Sequence, residues 1–282
     1  MIRIHVLGSA AGGGLPQWNC ACVNCIAARA GKIEPQTQSS IAISAQSEAP
    51  HNSWLINASP DLLRQIERTS QLQPRTSSSR NSRIAGVLLT NADIDHALGV
   101  LLLREQDKPL IVYAADQTRA ALTWLDNLLA RFCGIEWRGI SADFQPLDDE
   151  LGFRAITLPH SVAFQMRSNK LKRTVLFAPS VGDLTGQLRD AVQDSDVVFF
   201  DGTFWSDDEL AKVWTGARSA REMNHFPISD GSLDFLRQTG SGRKIYTHIN
   251  NTNPILMPQS RERAQVEQIG IEIAHDRLEI VL

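Results

Sequence analysis

Three cysteines lie within six residues of one another, at Cys20, Cys22 and Cys25. In a reducing compartment, cysteines this close together bind a metal more often than they pair as disulfides. A tetrahedral zinc ion, with Zn–S bonds of about 2.3 Å, suits so tight a cluster. We therefore predict a structural zinc site here. Its fourth ligand stays open between His225, Asn251 and a group from a partner chain.

A second set of metal-binding side chains follows predicted strands. Directly after a buried strand, Ile84–Thr90, the chain reads Asn91-Ala-Asp-Ile-Asp-His96. Three further predicted strands lead into a metal-binding side chain, at His160, Asp201 and His248. Because α/β structures place their chemistry on loops at strand ends, we expect these side chains to converge.

The segment that ends at His96 resembles the metallo-β-lactamase signature His-x-His-x-Asp-His. Asn91 and Asp93 stand in place of its two leading histidines, whereas the Asp-His pair is intact. Asp201 matches the bridging aspartate of that superfamily and His248 its late histidine. A hydrolytic dinuclear zinc site uses both metals, so the loss of two imidazoles argues against plain hydrolysis.

The ligands that remain favour a different chemistry. Asp95, His96 and His248 form a set of two imidazoles and one carboxylate with open coordination positions, which resembles that of non-heme iron(II) oxygenases. The alternative is that Asp95 only caps a predicted helix, Asp95–Arg104, with His96 packed behind it. His225 is either an acid or base beside the metal or a helix-cap residue. Three tryptophans either line an aromatic substrate site or, by default, pack in the core: Trp18, Trp205 and Trp214.

The predicted elements indicate an α/β architecture. Early strands (Ile2–Leu7, Ser40–Ser44, Trp54–Asn57) precede an alternation of strands and helices that includes one long amphipathic helix, Asp116–Arg131. Such an order favours two mixed sheets packed face to face with helices outside, in a single domain over residues 1–282.

Composition excludes several classes of function. The 282 residues are 43% hydrophobic and 21% charged, with a net charge of −3 and no strong clustering of basic residues. We therefore expect no nucleic-acid partner and no anionic membrane surface. No apolar run approaches the roughly 20 residues that span a bilayer. The opening residues read as a strand rather than a signal peptide, so a cytoplasmic location is expected.

Several blocks of sequence resemble the family of coenzyme PQQ (pyrroloquinoline quinone) biosynthesis protein B. They extend from residue 7 to about residue 256, and the first and last are long and specific. The blocks are Gly8-Ser-Ala-Ala-Gly-Gly-Gly14, Pro16-Gln-Trp-Asn-Cys20-x-Cys22-x-x-Cys25, Asn57-Ala-Ser-Pro-Asp61, Asp201-Gly-Thr203, Arg221-Glu-Met223 with His225, and His248-Ile-Asn-Asn-Thr-Asn-Pro-Ile255.

The resemblance implies an αββα metallo-β-lactamase fold and a role in making PQQ from a ribosomal peptide, alongside other proteins of that synthesis. It implies zinc on the cysteine motif and a homodimer formed near it. The implied reaction is iron-dependent hydroxylation of the tyrosine ring in a glutamate–tyrosine intermediate; a non-catalytic PQQ carrier is the alternative. The chain departs from the family pattern at Asn224, where glycine is usual. The stretch between His160 and Val175 is short, and the Asn91–Asp93 pair varies in the family, so His160, Asn91 and Asp93 enter only as candidate ligands.

Overall fold

The computed structural model describes residues 1–45, 52–240 and 242–282. Its described residues contain fourteen strands: β1 (Ile2–Gly8), β2 (Ser40–Ala45), β3 (Ser53–Ile56), β4 (Ile84–Leu88), β5 (Leu110–Tyr113), β6 (Ile135–Arg138), β7 (Gln145–Pro146), β8 (Leu151–Leu158), β9 (Ser161–Ser168), β10 (Thr174–Ala178), β11 (Val197–Asp201), β12 (Arg243–Thr247), β13 (Glu272–Ile273) and β14 (Glu279–Val281). They also contain eight α-helices: α1 (Val23–Arg29), α2 (Leu62–Glu67), α3 (Ile94–Ala97), α4 (Asp116–Ala121), α5 (Thr123–Leu129), α6 (Gly186–Gln193), α7 (Leu233–Gln238) and α8 (Arg261–Gln268).

The strands form two sheets of seven, and each sheet is half antiparallel and half parallel. The first has the order β14-β1-β2-β3-β4-β5-β6 and the second β13-β12-β11-β10-β9-β8-β7. Strands β3 to β6 are parallel to one another, as are β10 to β13. Parallel neighbours end at the same edge of their sheet, so the residues after β11 and β12 are placed to meet.

The core lies between the two sheets. Strand β1 alternates, with Ile2, Ile4 and Val6 in a buried cluster that both sheets share, where Phe153 and Phe177 of the second sheet meet them. This period of two is what a strand with one face on a core produces. Two further clusters pack α2 and α5 on the first sheet and α6, α7 and α8 on the second. The layers are therefore helix, sheet, sheet, helix, which confirms the predicted αββα architecture.

Two predicted helices have different forms in the structure. The helix predicted over Asp95–Arg104 begins instead at Ile94, as the short α3, and continues as a 3₁₀-helix over Leu98–Leu103. A Cβ atom at Gly99 would lie 2.3 Å from the Ser59 carbonyl oxygen, so only glycine permits this close approach. The helix predicted over Asp116–Arg131 was wrong as one element, because it breaks at Leu122 into α4 and α5.

Several elements had no strong sequence signal. The short strands β6, β7 and β13 and the helix α1 were not predicted, and neither was β9, which pairs along its length with β8. The β8–β9 hairpin turns at Pro159 and His160, and His160 has a φ of 60°. A proline followed by a residue with positive φ is the pattern of a type II turn, but glycine or asparagine usually occupies the second position. None of the described helices has the length and apolar character needed to cross a membrane.

Candidate metal centre

The strand ends bring the predicted side chains to one edge of the molecule. Asp95 and His96 lie on α3, five residues or more beyond β4, and the backbone N–H of Ala58 donates to the His96 carbonyl. Asp201 is the last residue of β11, and His248 follows β12 directly. Parallel pairing of β11 with β12 sets Asp201 opposite Thr247, beside His248.

Asp95, His96 and His248 form a group that can hold one metal ion. Asp95 Oδ2 lies 3.1 Å from His248 Nε2 and 3.6 Å from His96 Nε2, and the ligand atoms of the group all lie within 4.8 Å of one another. His96 is 1% exposed, and its Nε2 atom has no hydrogen-bond partner among the described residues. A buried polar atom without a partner costs about 1–3 kcal/mol. A lone pair directed at a cation accounts for it, so the side chains fit a metal.

The other ring nitrogen of His96 is fixed by its neighbours. His96 Nδ1 lies 2.7 Å from Asn91 Oδ1 and 3.1 Å from Thr90 Oγ1. Thr90 is in turn held by Asn57 Oδ1, which accepts from its backbone N–H and its hydroxyl. Because the amide oxygen of Asn91 can only accept, Nδ1 carries the proton and Nε2 the lone pair. Burial lowers the pKa of His96 to about 4, so the ring is neutral near pH 7 and its Nε2 lone pair is available to a cation.

Opposing effects set the charges of the other two members. Burial would raise the pKa of Asp95, but the nearby rings of His96 and His248 bring it well below its ordinary value. Burial would lower the pKa of His248, but its hydrogen bond to Asp95 and the charges of Asp95 and Asp201 raise it. The site therefore holds a fixed negative charge beside its imidazoles, as a divalent cation requires.

A second group lies on the other side of His248. Asp201, His225 and His248 also bring their ligand atoms within 4.8 Å of one another. Asp201 Oδ2 lies 2.7 Å from His225 Nδ1, and its Oδ1 lies 2.6 Å from Thr203 Oγ1. The same threonine oxygen lies 2.8 Å from His248 Nδ1. The two groups thus share His248, and His225 is a cavity residue rather than a helix cap.

The three further candidate ligands lie outside both groups. Asn91 orients His96 and donates from Nδ2 to Asp93 Oδ2 at 2.7 Å. Asp93 is exposed and precedes α3, and His160 is exposed in the β8–β9 turn. All three line the cavity at the metal centre, so their roles as ligands stay predictions.

The three cysteines lie together, and Asn251 is next to all of them. Cys20, Cys22 and Cys25 form a third group that can hold a metal ion. The Asn251 side-chain amide lies 3.2, 3.5 and 3.3 Å from their sulfur atoms in that order. His225, the other candidate in this chain for the fourth ligand, groups with Asp201 instead. Burial raises the pKa of the Cys25 thiol to about 11, so a metal must displace its proton.

A cavity of about 620 Å³ opens onto the first two groups. The segment from residue 204 to 225 forms much of its wall and contributes Phe204, Trp214, Arg218 and Met223. Trp214 is 67% exposed, so the default assignment of this ring to the core was wrong. Arg218 is the one lysine or arginine in the wall, and its guanidinium makes no ion pair or hydrogen bond with the described part of the chain.

The default assignment to the core was wrong for Trp18 too, because this side chain is 86% exposed. Trp205 packs partly buried against the helix-covered side of the second sheet. Sequence reasoning also missed Thr203 and Thr90, whose hydroxyls contact the histidine rings, although Asp201-Gly-Thr203 was visible as a motif. A Cβ atom at Gly202 would lie 2.8 Å from Tyr246 Cβ, so glycine is what lets this turn pack against β12.

Comparison with known proteins agrees with this fold and site. Residues 52–249 match the model of the β-lactamase superfamily domain, so the chain is a member of that superfamily. Coenzyme PQQ synthesis protein B of Cupriavidus necator is 38% identical over the full length of both chains. The crystal structure of Zn²⁺-bound PqqB from Methylobacterium extorquens has a TM-score of 0.89 at 35% identity and covers 99% of this chain and 100% of its own. The chain belongs to the coenzyme PQQ synthesis protein B family.

A more distant structure shares the fold. A diphosphatase of the PhnP family has a TM-score of 0.74 at 17% identity and covers 100% of this chain and 98% of its own. At that identity the likeness extends to the αββα metallo-β-lactamase fold alone. The activity must be argued from the site.

Proposed function

We propose that this protein acts in PQQ synthesis by hydroxylating the tyrosine ring of a peptide-derived glutamate–tyrosine intermediate, with iron held by Asp95, His96 and His248. The observation that carries the proposal is the buried Nε2 atom of His96, which has no hydrogen-bond partner among the described residues and lies in a group with a second imidazole and a carboxylate. Iron(II) in such a set supplies redox chemistry with dioxygen, which zinc lacks.

The cavity offers contacts for such a substrate. Trp214 presents exposed aromatic surface, on which a phenol ring can stack, and Arg218 presents a guanidinium that makes no ion pair or hydrogen bond with the described residues. A glutamate–tyrosine dipeptide carries carboxylates, and an arginine binds a carboxylate through paired N–H···O bonds. Trp214 and Arg218 would hold the ring and a carboxylate of the substrate, respectively, beside the proposed metal centre.

His225 is the residue best placed to move a proton. Its Nδ1 atom lies 2.7 Å from Asp201 Oδ2, and its ring stacks on His248 with centroids 5.4 Å apart. A carboxylate at Nδ1 leaves Nε2 as the basic nitrogen of a ring that lines the cavity. We assign to His225 Nε2 the uptake of the proton that the phenol ring loses on hydroxylation.

The cysteine cluster is proposed to hold structural zinc. Three thiolates and the adjacent Asn251 amide surround one position. If the side-chain amide of Asn251 is flipped by 180°, its oxygen takes the place of its nitrogen and becomes the fourth ligand of a tetrahedral set. The homodimer that the family resemblance implies stays a prediction. Exposed apolar side chains beside the cysteines, Trp18, Val23 and Ile26, give it a surface to bury.

Hydrolysis is the alternative that the fold suggests. Asn91 stands where the signature has its first histidine, and its amide oxygen accepts a hydrogen bond from His96. A second hydrolytic metal therefore lacks imidazoles on that side of the site, which disfavours the two-metal mechanism.

The test compares metals in one preparation. Protein loaded with iron(II) and protein loaded with zinc are each incubated with reductant, air and a glutamate–tyrosine dipeptide, and the products are read by mass spectrometry. The proposal predicts a product one oxygen atom heavier from the iron form only. Equal products from both forms, or dipeptide cleavage by the zinc form, would contradict it. Tight PQQ binding without turnover by the iron form would support the carrier.

A further inference from the structure

One short segment touches both proposed metal sites. We call residues 248–253 the bridging segment: it begins at His248, whose Nε2 lies 3.1 Å from Asp95 Oδ2, and three residues later Asn251 contacts all three cysteine sulfurs. Cys22 Sγ also lies 3.4 Å from the Asn251 carbonyl oxygen. A change at the sulfur atoms therefore acts on Asn251, which is only three residues from His248, a proposed ligand of the other metal.

Buried hydrogen bonds hold the bridging segment from both sides. On the cysteine side, Asn24 of α1 is 0% exposed and donates from Nδ2 to the carbonyls of Asn251 and Asn253 at 2.9 and 2.8 Å. On the other side, Asn253 Nδ2 donates to the Gly202 carbonyl at 2.9 Å. The backbone N–H of Asn250 donates to the Thr203 carbonyl at 3.0 Å. These hydrogen bonds hold the bridging segment between α1 and the turn that follows Asp201.

His248 needs these hydrogen bonds. Its φ is 55°, in the left-handed region that costs a non-glycine residue on the order of 1 kcal/mol or more. Such a conformation persists only where surrounding contacts determine it. Here Thr203 contacts the ring at Nδ1 and also the His248 carbonyl, at 2.8 and 2.9 Å. If the bridging segment relaxes, the left-handed residue relaxes with it and Nε2 leaves its place.

We infer that the metal on the three cysteines positions His248 through Asn251 and the bridging segment, so that the cysteine site sets the affinity of the Asp95–His96–His248 site. Asn24 is then a positioning residue, since it holds the segment without being a ligand of either metal. The inference rests on the metal assignments proposed above but not on hydroxylation. The loss of a hydrogen bond that orients a metal ligand lowers metal affinity by about 10–100-fold.

The experiment measures Mn²⁺ binding by electron paramagnetic resonance, because Mn²⁺ prefers oxygen and nitrogen ligands to thiolates. Zinc is counted separately by atomic absorption. Two variants are compared with the unaltered chain: Cys22→Ser, which weakens the sulfur site, and Asn24→Ala, which leaves every proposed ligand in place. Cys133→Ser, a change of the same kind at a cysteine outside the cluster, is the control.

We expect Mn²⁺ to bind at least about tenfold more weakly to both variants and unchanged to the control. Should Cys22→Ser fail to fold by circular dichroism, Asn24→Ala decides the matter alone. An Mn²⁺ affinity within twofold of the unaltered chain in folded Asn24→Ala, or in folded Cys22→Ser that has lost its zinc, would overturn the inference. Because Mn²⁺ binding is read without turnover, a failed hydroxylation assay leaves this result intact.

Discussion

At the scale of single residues, the surroundings of His96 fix both the charge and the tautomer of this proposed ligand. Burial keeps the imidazole neutral, with a pKa of about 4, and Asn91 Oδ1 accepts a hydrogen bond from Nδ1–H. What remains is one lone pair on a buried ring with nothing else to bind among the described residues. The asparagine that replaces the signature's first histidine thus orients the ring of His96, the proposed ligand.

Removal of this ring tests the assignment. His96→Ala should lower iron affinity by about 100-fold or more and abolish the hydroxylated product, because it deletes one of three proposed ligands. Iron content after dialysis and product by mass spectrometry give the two readings. His275→Ala, at an exposed histidine in another part of the chain, should change neither. Full iron content in His96→Ala would show that the metal binds elsewhere.

Arg218 carries a prediction about the substrate. If its guanidinium binds a substrate carboxylate, Arg218→Gln should raise KM by about 10–100-fold and leave kcat nearly unchanged. This increase in KM corresponds to the loss of one charge-assisted hydrogen bond, which contributes about 1.5–3 kcal/mol. Steady-state kinetics of the iron form measure both constants. Lys212→Gln removes a nearby cation that does not line the cavity and serves as the control. An unchanged KM in Arg218→Gln would rule out this contact.

The sequence made some of these residues visible and hid others. The three cysteines are close together in the sequence, and so are Asp95 and His96, so both patterns could be recognised directly. Thr90, Asn24 and Arg218 act on residues that folding brings close, and no local pattern identifies them. Trp214 was assigned to the core by default because large aromatic residues usually lie there, whereas here the ring is exposed in the cavity wall.

At the scale of elements, the cysteine loop and α1 should depend on their metal. Cys22→Ser is expected to remove about one zinc per chain and to lower Tm by roughly 5 °C, as a loss of about 3 kcal/mol does in a chain of this size. Zinc analysis and calorimetry measure the two effects. Cys133→Ser should retain the zinc. If Cys22→Ser keeps its zinc, the cluster is not the binding site.

Glu209 makes stability depend on pH. Its side chain is 5% exposed, accepts from the Thr252 hydroxyl and the Trp205 N–H, and burial raises its pKa to about 7 from 4.5. The unfolded chain loses this proton near pH 4.5 and the folded chain near pH 7. Stability from this group is therefore present below pH 4.5 and lost as pH rises through 7, by up to about 3 kcal/mol.

Glu209→Gln should remove that loss. Its Tm relative to the unaltered chain should rise between pH 5 and pH 8, because glutamine keeps an acceptor and a donor for the same neighbours without a buried charge. Thermal unfolding followed by circular dichroism at both pH values measures the difference. Asp208→Asn, at the exposed neighbouring residue, should show no such trend. A constant difference in Tm for Glu209→Gln would contradict the raised pKa.

Long elements could be predicted from the sequence and short ones could not. Strands β1, β4 and β11 were anticipated because each has five residues or more, with an alternating apolar pattern in β1 and a nearly continuous one in β4 and β11. Strands β7 and β13 have only two residues each, too few to show a period. The break at Leu122 follows from tertiary packing, since that residue is buried among the helices on the first sheet.

At the scale of the whole molecule, two sheets of similar build face each other across one core. Each has an antiparallel half and a parallel half, and the proposed metal centre takes its candidate ligands from α3, after β4 of the first sheet, and from the residue after β12 of the second. The sandwich therefore has to close before the site exists. The order of early strands followed by alternating strands and helices predicted this architecture, but the pairing that brings Asp95 to His248 needed the structure.

The central claim is that this site places oxygen on a tyrosine ring. Its most direct test is the source of the added atom: iron-loaded protein, reductant and a glutamate–tyrosine dipeptide are incubated under isotopically labelled oxygen gas, and the product is read by mass spectrometry. We predict one labelled oxygen atom per hydroxylated ring, and none with zinc-loaded protein or with His248→Ala. A product that carries oxygen from water instead, or an unmodified dipeptide with fully iron-loaded protein, would contradict the account.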